Sequence, residues 1–470
     1  MLCVVSLAVV LLVSVLGAAC AAVARAADWQ FRLVADSGLP VAGKTYGGTW
    51  ADLDGDGHWD LVLSRHADDV VDFYLGHGDL RFTGPAAVAL PPGLLDHHGT
   101  AACDFDTDGD WDFFLTVGAE RGQGRSCKQL WRNEGVLALT ALAGCDDPPA
   151  DPAGRGRGAL WLRLDAAPRP QLLLLNYLSP PRLFGQGADG TWQDLQDRLG
   201  AAAGAWWSVA VAEDFDGDGA LDLFAAGSER RFLHNQGGRL VPVDAELLAV
   251  AGPEVSAAAA GDVDGDGDAD LLLGLRGGAL LLLLNESEPG RIHFGGRRGY
   301  PDLPLVAEPV SVALVDLDND GRLDLAVAER RQDRIPCAPL LARGQGDGTF
   351  VAVAAQPAGL AVARSRAMGL WAIDLDGDGD LDLVTINGEE PSLRDARGER
   401  SQTVRCVASP WNASTLPLHF GLGELAGPGE LLVAWPEGRI ETLPLPPGGG
   451  ALRLWQELPV PLVTPGDGAP

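Results

Sequence analysis

The chain has 470 residues, enough to bury a large core, and its 62 glycines and 32 prolines suit a turn-rich β protein rather than a helical one. A formal charge of −30 argues against nucleic acid and anionic membrane surfaces as partners. The same acidity is concentrated in short aspartate-rich segments, so it speaks of bound cations before it speaks of a macromolecular partner.

At the N-terminus, residues 4–16 are an apolar run followed by small residues and an A-x-A site at Ala24-Arg25-Ala26. This reads as a secretory signal peptide over 1–26, which places the protein outside the cell, in the periplasm or on the cell surface. Two other readings stand behind cleavage. Leu16-Gly17-Ala18-Ala19-Cys20 is near a lipoprotein site, which would anchor the chain by lipid at Cys20, and the uncharged run to Ala24 also fits a retained membrane anchor. No other segment is apolar and long enough to span.

From residue 52 onward one acidic nonapeptide, D-x-D-x-D-G-x-x-D, recurs six times. Counted from the first aspartate of each copy, positions 1, 3, 5, 7 and 9 are Asp52, Asp54, Asp56, His58 and Asp60; Asp104, Asp106, Asp108, Asp110 and Asp112; and Asp214, Asp216, Asp218, Ala220 and Asp222. The last three copies give Asp262, Asp264, Asp266, Asp268 and Asp270; Asp316, Asp318, Asp320, Arg322 and Asp324; and Asp374, Asp376, Asp378, Asp380 and Asp382. Calcium takes six to eight oxygens, and such a segment offers them from alternate positions: carboxylates at 1, 3, 5 and 9, and the backbone carbonyl at 7. The glycine at position 6 suits the sharp bend. Four carboxylates on nine residues repel one another without a cation, so the expectation is about six Ca²⁺ ions. A solvated acidic turn is the plainer alternative.

The copies start 48 to 58 residues apart, except that Asp104 and Asp214 are 110 apart. Midway, Arg163, Asp165 and Ala167 stand in register with the first three aspartates, Pro168 with the glycine and Gln171 with the closing aspartate. This is a seventh repeat that has lost its metal. Each unit carries four short apolar segments; around Asp316 they are 310–315, 323–328, 338–342 and 350–354, with Gly-rich turns before the last, as also at 130–135, 183–192 and 232–240. A period of this size signals a repeat architecture. Four strands per unit and seven units predict an all-β, seven-bladed β-propeller over 28–400. Residues 31–36 resemble a fourth strand and are expected to complete the last blade.

Beyond the signal peptide lie Cys103, Cys127, Cys145, Cys337 and Cys406, in no zinc-binding spacing. Cys127 and Cys145 flank one hairpin and are expected to pair, while Cys103 is expected to be a buried thiol. Five of eight histidines fall between His58 and His98. They are expected on turns between different strands rather than converged on one site. Trp206-Trp207 reads as a core aromatic pair, with an exposed glycan platform as the alternative. No nucleophile elbow, phosphate loop or zinc motif appears.

The repeats resemble the FG-GAP/VCBS family, the calcium-loop blades also found in integrin α-chain propellers. Residues 418–439, with HFGLG and a WPxG turn, resemble the ASPIC/UnbV domain, which accompanies such propellers in cartilage acidic protein and many bacterial secreted proteins. The resemblance implies a small β-rich module over 401–455, shortened at its start, and then a flexible tail over 456–470. It also implies a secreted or cell-surface calcium-binding scaffold whose partner is an extracellular protein or polysaccharide. The alternative it leaves open is a propeller enzyme, a polysaccharide lyase or a natural-product biosynthetic enzyme, with its site in the central channel. Fold does not choose between these.

Overall fold

The computed structural model describes residues 31, 34, 37–39, 45–65, 71–86, 96–118, 127–142, 144–167, 169–200, 204–243, 254–331, 338–354, 367–387, 430–434 and 440–444. The proposed signal peptide, Cys20, Cys337, Cys406 and most of 401–470 lie outside them. Among the described residues no helix is long and apolar enough to cross a membrane.

Every sheet is an antiparallel meander in chain order. Blade 1 is β1 (Thr45–Ala51), β2 (Asp60–Arg65), β3 (Val71–Gly76) and β4 (Phe82–Thr83). Blade 2 is β5 (His97–Cys103), β6 (Asp112–Val117), β7 (Gln129–Asn133) and β8 (Leu139–Ala141). Blade 3 comprises β9 (Gly156–Leu162), β10 (Gln171–Asn176), β11 (Arg182–Gln186) and β12 (Trp192–Asp194). Blade 4 has β13 (Trp207–Glu213), β14 (Asp222–Gly227), β15 (Arg230–Asn235) and β16 (Leu240–Pro242). In blade 5 the strands are β17 (Val255–Gly261), β18 (Asp270–Leu275), β19 (Ala279–Asn285) and β20 (Phe294–Gly299). Blade 6 is β21 (Glu308–Val315), β22 (Asp324–Arg330), β23 (Leu340–Gly344) and β24 (Phe350–Val353). Two two-stranded sheets follow, β25 (Ala367–Ile373) with β26 (Asp382–Asn387), and β27 (Glu430–Ala434) with β28 (Ile440–Pro444).

The blades are held face to face by apolar layers, each shared by two neighbours. Leu160, Leu173 and Leu183 of blade 3 pack with Trp207, Leu223 and Leu233 of blade 4. Equivalent layers join blades 1 and 2, 2 and 3, 4 and 5, and 5 and 6. The pair β25–β26 lies between blade 6, through Val310, Leu341 and Leu370, and blade 1, through Trp50 and Ile373. The sheets therefore close into a ring, which is the propeller arrangement. Its blade count differs from the sequence expectation: among the described residues six four-stranded blades are present, not seven. The seventh place is held by the two-stranded sheet β25–β26, and the residues beyond Asn387 up to Glu430 lie outside those described. Of 31–36, Phe31 packs on the layer between blade 6 and β25, but no strand is assigned there.

The first strand of each blade is innermost, β1 beside β5, β5 beside β9 and β17 beside β21. All seven first strands carry a register shift near their start, for example between His97 and Thr100 and between Trp207 and Val209. Such bulges increase local twist. Close approach there depends on glycine: a Cβ on Gly99 would lie 2.6 Å from the Arg157 carbonyl oxygen of the next blade.

Candidate metal loops

Each acidic nonapeptide joins the first strand of a blade to the second, so all six lie at the same end of their blades. A common hydrogen-bond pattern shapes them. The glycine at position 6 has φ between 86° and 101° in all six, a conformation that only glycine adopts at no cost. Its amide donates to Oδ2 of the first aspartate, from Gly57 to Asp52 at 3.0 Å through Gly379 to Asp374 at 3.2 Å. The position 7 amide donates to the third aspartate, as from His58 to Asp56 at 2.8 Å and from Arg322 to Asp320 at 3.0 Å. Position 4 is also left-handed, with glycine in four loops, Thr107 at φ 68° and Asn319 at φ 56° in the others.

The closing aspartate is the buried keystone. Its Oδ2 accepts the amide of the position 2 residue, Leu53 to Asp60 at 2.7 Å and Leu317 to Asp324 at 2.9 Å. Its Oδ1 accepts an amide at the end of the third strand, from Gly76, Asn133, Asn235, Asn285 or Gly344 at 2.8 to 2.9 Å. Burial outweighs these bonds. It pushes Asp60, Asp222, Asp270 and Asp324 up to about 7, Asp112 to about 8 and Asp382 to about 6. Neighbouring loop aspartates add to the rise.

This donor set fits a hard cation. Oxygens of Asp52, Asp54 and Asp60 come within 4.8 Å of one another, as do those of Asp104, Asp106 and Asp108, of Asp214, Asp216 and Asp218, and of Asp262, Asp264 and Asp270. Asp52 Oδ1, Asp106 Oδ1 and Asp264 Oδ1 are buried and accept no hydrogen bond, leaving lone pairs for an ion. The repeat in blade 3 is filled differently. Gln171 Oε1 replaces the closing carboxylate as acceptor for Leu164 N at 2.8 Å. Arg163 Nη1 donates to the Ala167 carbonyl at 3.2 Å, and Arg198 Nη1 to Asp165 Oδ2 at 2.7 Å. Guanidinium groups and a carboxamide supply what an ion would.

Two features escaped the sequence reading. The residue before the third-strand amide donor is basic in three blades. Arg343 Nε lies 2.8 Å from Asp318 Oδ2, His234 Nδ1 lies 3.4 Å from Asp216 Oδ2 and 3.1 Å from Asp222 Oδ1, and Arg132 Nη1 lies 3.8 Å from Asp106 Oδ2. In blades 1 and 5 that residue is Leu75 or Leu284. The second feature is a latch between blades. Asn133, Asn235 and Asn285 each donate from Nδ2 to the position 2 carbonyl of the preceding blade's loop, Leu53, Leu164 and Phe215, all at 2.8 Å. In blade 6 the Gly348 amide takes the role toward Val263, at 3.0 Å.

The described histidines between His58 and His98 do not converge on one site. His58 and His77 are exposed at the loop end of blade 1, whereas His97 and His98 are buried at the opposite end of β5, and His66 lies outside the described residues. Trp207 is core, but Trp206 is half-buried. Cys127 and Cys145 form the expected disulfide across the β7–β8 hairpin, with Cα atoms 5.2 Å apart, and Cys103 is a buried thiol.

Comparison with known proteins agrees with the repeat. The FG-GAP-like repeat matches residues 52–115, 164–225, 214–273, 262–327 and 316–385, together more than half of the chain and including the aspartate-poor unit of blade 3. No curated protein matches. Among solved structures, the chain is similar to BBS1N in its complex with ARL6DN, at 14% identity over 74% of this chain and 91% of that one, with a TM-score of 0.44. It is also similar to Saccharomyces cerevisiae Sqt1, at 10% identity over 86% of this chain and 97% of that one, with a TM-score of 0.45.

Proposed function

Since the chain belongs to the FG-GAP-like repeat family, we propose that it is a calcium-rigidified binding scaffold that works outside the cell. The observation that carries this is the repeated loop: six copies share one hydrogen-bond pattern at one end of the ring, four of them bring carboxylates within 4.8 Å of one another, and five fully bury a closing aspartate that needs a countercharge. A catalytic metal would be expected once, with an open position; a structural ion is expected in every blade. Asp52, Asp54, Asp56 and Asp60, and their counterparts in the other five loops, would hold the ions with the position 7 carbonyls. The Cys127–Cys145 disulfide supports an oxidising compartment, hence export. Its partner is an extracellular protein or polysaccharide, and a shortened ASPIC/UnbV-like module follows the ring, of which β27–β28 would be part.

Native mass spectrometry of the exported protein in calcium tests the reading. Six ions are expected, with blade 3 taking none, because Arg163 and Arg198 occupy its loop. A seventh stoichiometric ion lost on Asp165→Ala would refute the blade 3 assignment, and no bound calcium would refute the function.

A further inference from the structure

At the end of the ring opposite the aspartate loops, basic side chains gather around blade 3. Arg155 and Arg157 stand at the start of β9, Tyr177 just beyond β10, Arg182 at the start of β11 and Lys128 just before β7. The guanidinium carbons of Arg155 and Arg157 lie 5.1 and 5.7 Å from the centre of the Tyr177 ring. Trp206 of blade 4, half-buried, stands edge-on to the same ring at 6.2 Å. The acids nearby are already engaged. Asp151 faces Lys128 Nζ at 3.3 Å, Asn176 Nδ2 at 2.9 Å and Arg182 Nη1 at 3.7 Å, while Asp96 lies 3.0 Å from His98 Nε2. No acid among the described residues pairs with Arg155, and its Nε is buried without an acceptor. Cations crowd here: Arg157 and Arg182 add to burial in lowering Lys128 to about 8.

We propose that this end of the ring binds the carboxylate of a uronic acid in a short oligosaccharide, with Arg155 holding the anion and Tyr177 and Trp206 offering the flat surface for the sugar ring. It rests on the scaffold reading and adds the surface and the ligand class. A guanidinium presents its donors in a fork that matches a carboxylate. Half-buried aromatic rings beside it suit the C–H face of a pyranose better than a flexible acidic peptide. Leu178, 58% exposed at the next position, extends the apolar rim. The overall negative charge does not forbid it. Strands β9 and β13 have seven residues each, which at about 3.3 Å per residue sets the aspartate loops roughly 20 Å away. That exceeds the Debye length of about 8 Å at physiological salt.

The test is calorimetric titration of the full calcium-loaded chain at physiological salt with tetragalacturonate, with maltotetraose and tetraglutamate as comparators. Tetragalacturonate is expected to bind at least about tenfold more tightly than either. Arg155→Ala should weaken it by about tenfold or more, the size expected for losing a charge-assisted contact, and Trp206→Ala by about tenfold through the lost apolar surface. Arg81→Ala, at a side chain 74% exposed on blade 1, should leave binding unchanged. Should Arg155→Ala fail to fold, Arg155→Lys is expected to weaken binding by less while keeping the melting temperature. Equal binding of tetraglutamate or maltotetraose, or full affinity in both Arg155 and Trp206 variants, would overturn the proposal. Absence of tetragalacturonate binding by a ring that calcium does stabilise would overturn it and leave the scaffold reading standing.

Discussion

Single side chains decide how firmly each blade is tied to the next. Asn285 donates from Nδ2 to Phe215 O at 2.8 Å in blade 4 and to Ala269 O at 2.9 Å in its own loop. Asn285→Ala keeps the backbone bond to Asp270 but removes this donor from one buried and one partly buried carbonyl, and should cost about 1–3 kcal/mol in urea unfolding with calcium present. A cost below the error of the fit would mean that the latch is incidental. Lys128 is the other such residue, 0% exposed and directed at the Asp151 and Gly154 carbonyls and the Asp151 carboxylate. Lys128→Met leaves that carboxylate with Asn176 Nδ2 and Arg182 Nη1 but strips the Asp151 and Gly154 carbonyls of their buried donor, and should cost about 1–3 kcal/mol. Because Lys128 is lowered to about 8 from its ordinary 10.5, the unfolded chain binds more protons between those values. The wild type should therefore gain stability from this group as pH rises through that window and lose it as pH falls through about 8. Lys128→Met should flatten that part of the curve. Neither role was legible in the sequence, since the asparagine partners lie 70 to 80 residues away and those of Lys128 lie in the next blade.

Within one blade, the nonapeptide alone made the strand–loop–strand unit legible. Aspartates at fixed spacing, a position 6 glycine and apolar runs on both sides leave little freedom, and the expected strands around Asp316 agree with β21 to β24 to within two residues. That the blade 3 loop lacks the shared set of carboxylates could be read from Arg163, Ala167 and Gln171, because each replaces an aspartate in register. What the nonapeptide could not say is that the six loops differ, for that depends on a third-strand residue brought in by the fold. Arg343, on Asp318, competes with a cation for the same carboxylate, whereas Leu284 in blade 5 does not. Arg343→Leu should thus raise the calcium affinity of its own loop by about tenfold, or about 1.4 kcal/mol. Site-resolved titration, with the other loops as internal standards, would show this. Unchanged affinity would mean that Arg343 orients Asp318 as much as it screens it.

At the scale of the ring, calcium should act on the whole molecule. The closing aspartates Asp60, Asp112, Asp222, Asp270 and Asp324 are fully buried, and each ties its loop to both the second and third strands of its blade. The loops of blades 1, 3, 4 and 5 in turn accept latches from the next blade, so disorder in one of them loosens two sheets. Where free calcium exceeds a site's dissociation constant a hundredfold, that site adds about 2.7 kcal/mol by linkage. Several such sites are large beside a net stability of about 5–15 kcal/mol. Excess EDTA should therefore lower the melting temperature sharply and broaden the transition, with Asp376→Ala reproducing only the share of one site. Binding at the opposite end of the ring should weaken only as the fold loosens, in parallel with the melting curve rather than ahead of it. Loss of ligand binding at a calcium concentration that leaves the melting temperature untouched would instead place calcium in the ligand site itself. An unchanged melting curve in EDTA, with no calcium retained, would show that the aspartate segments are ordinary turns whose buried carboxylates are neutralised by protons.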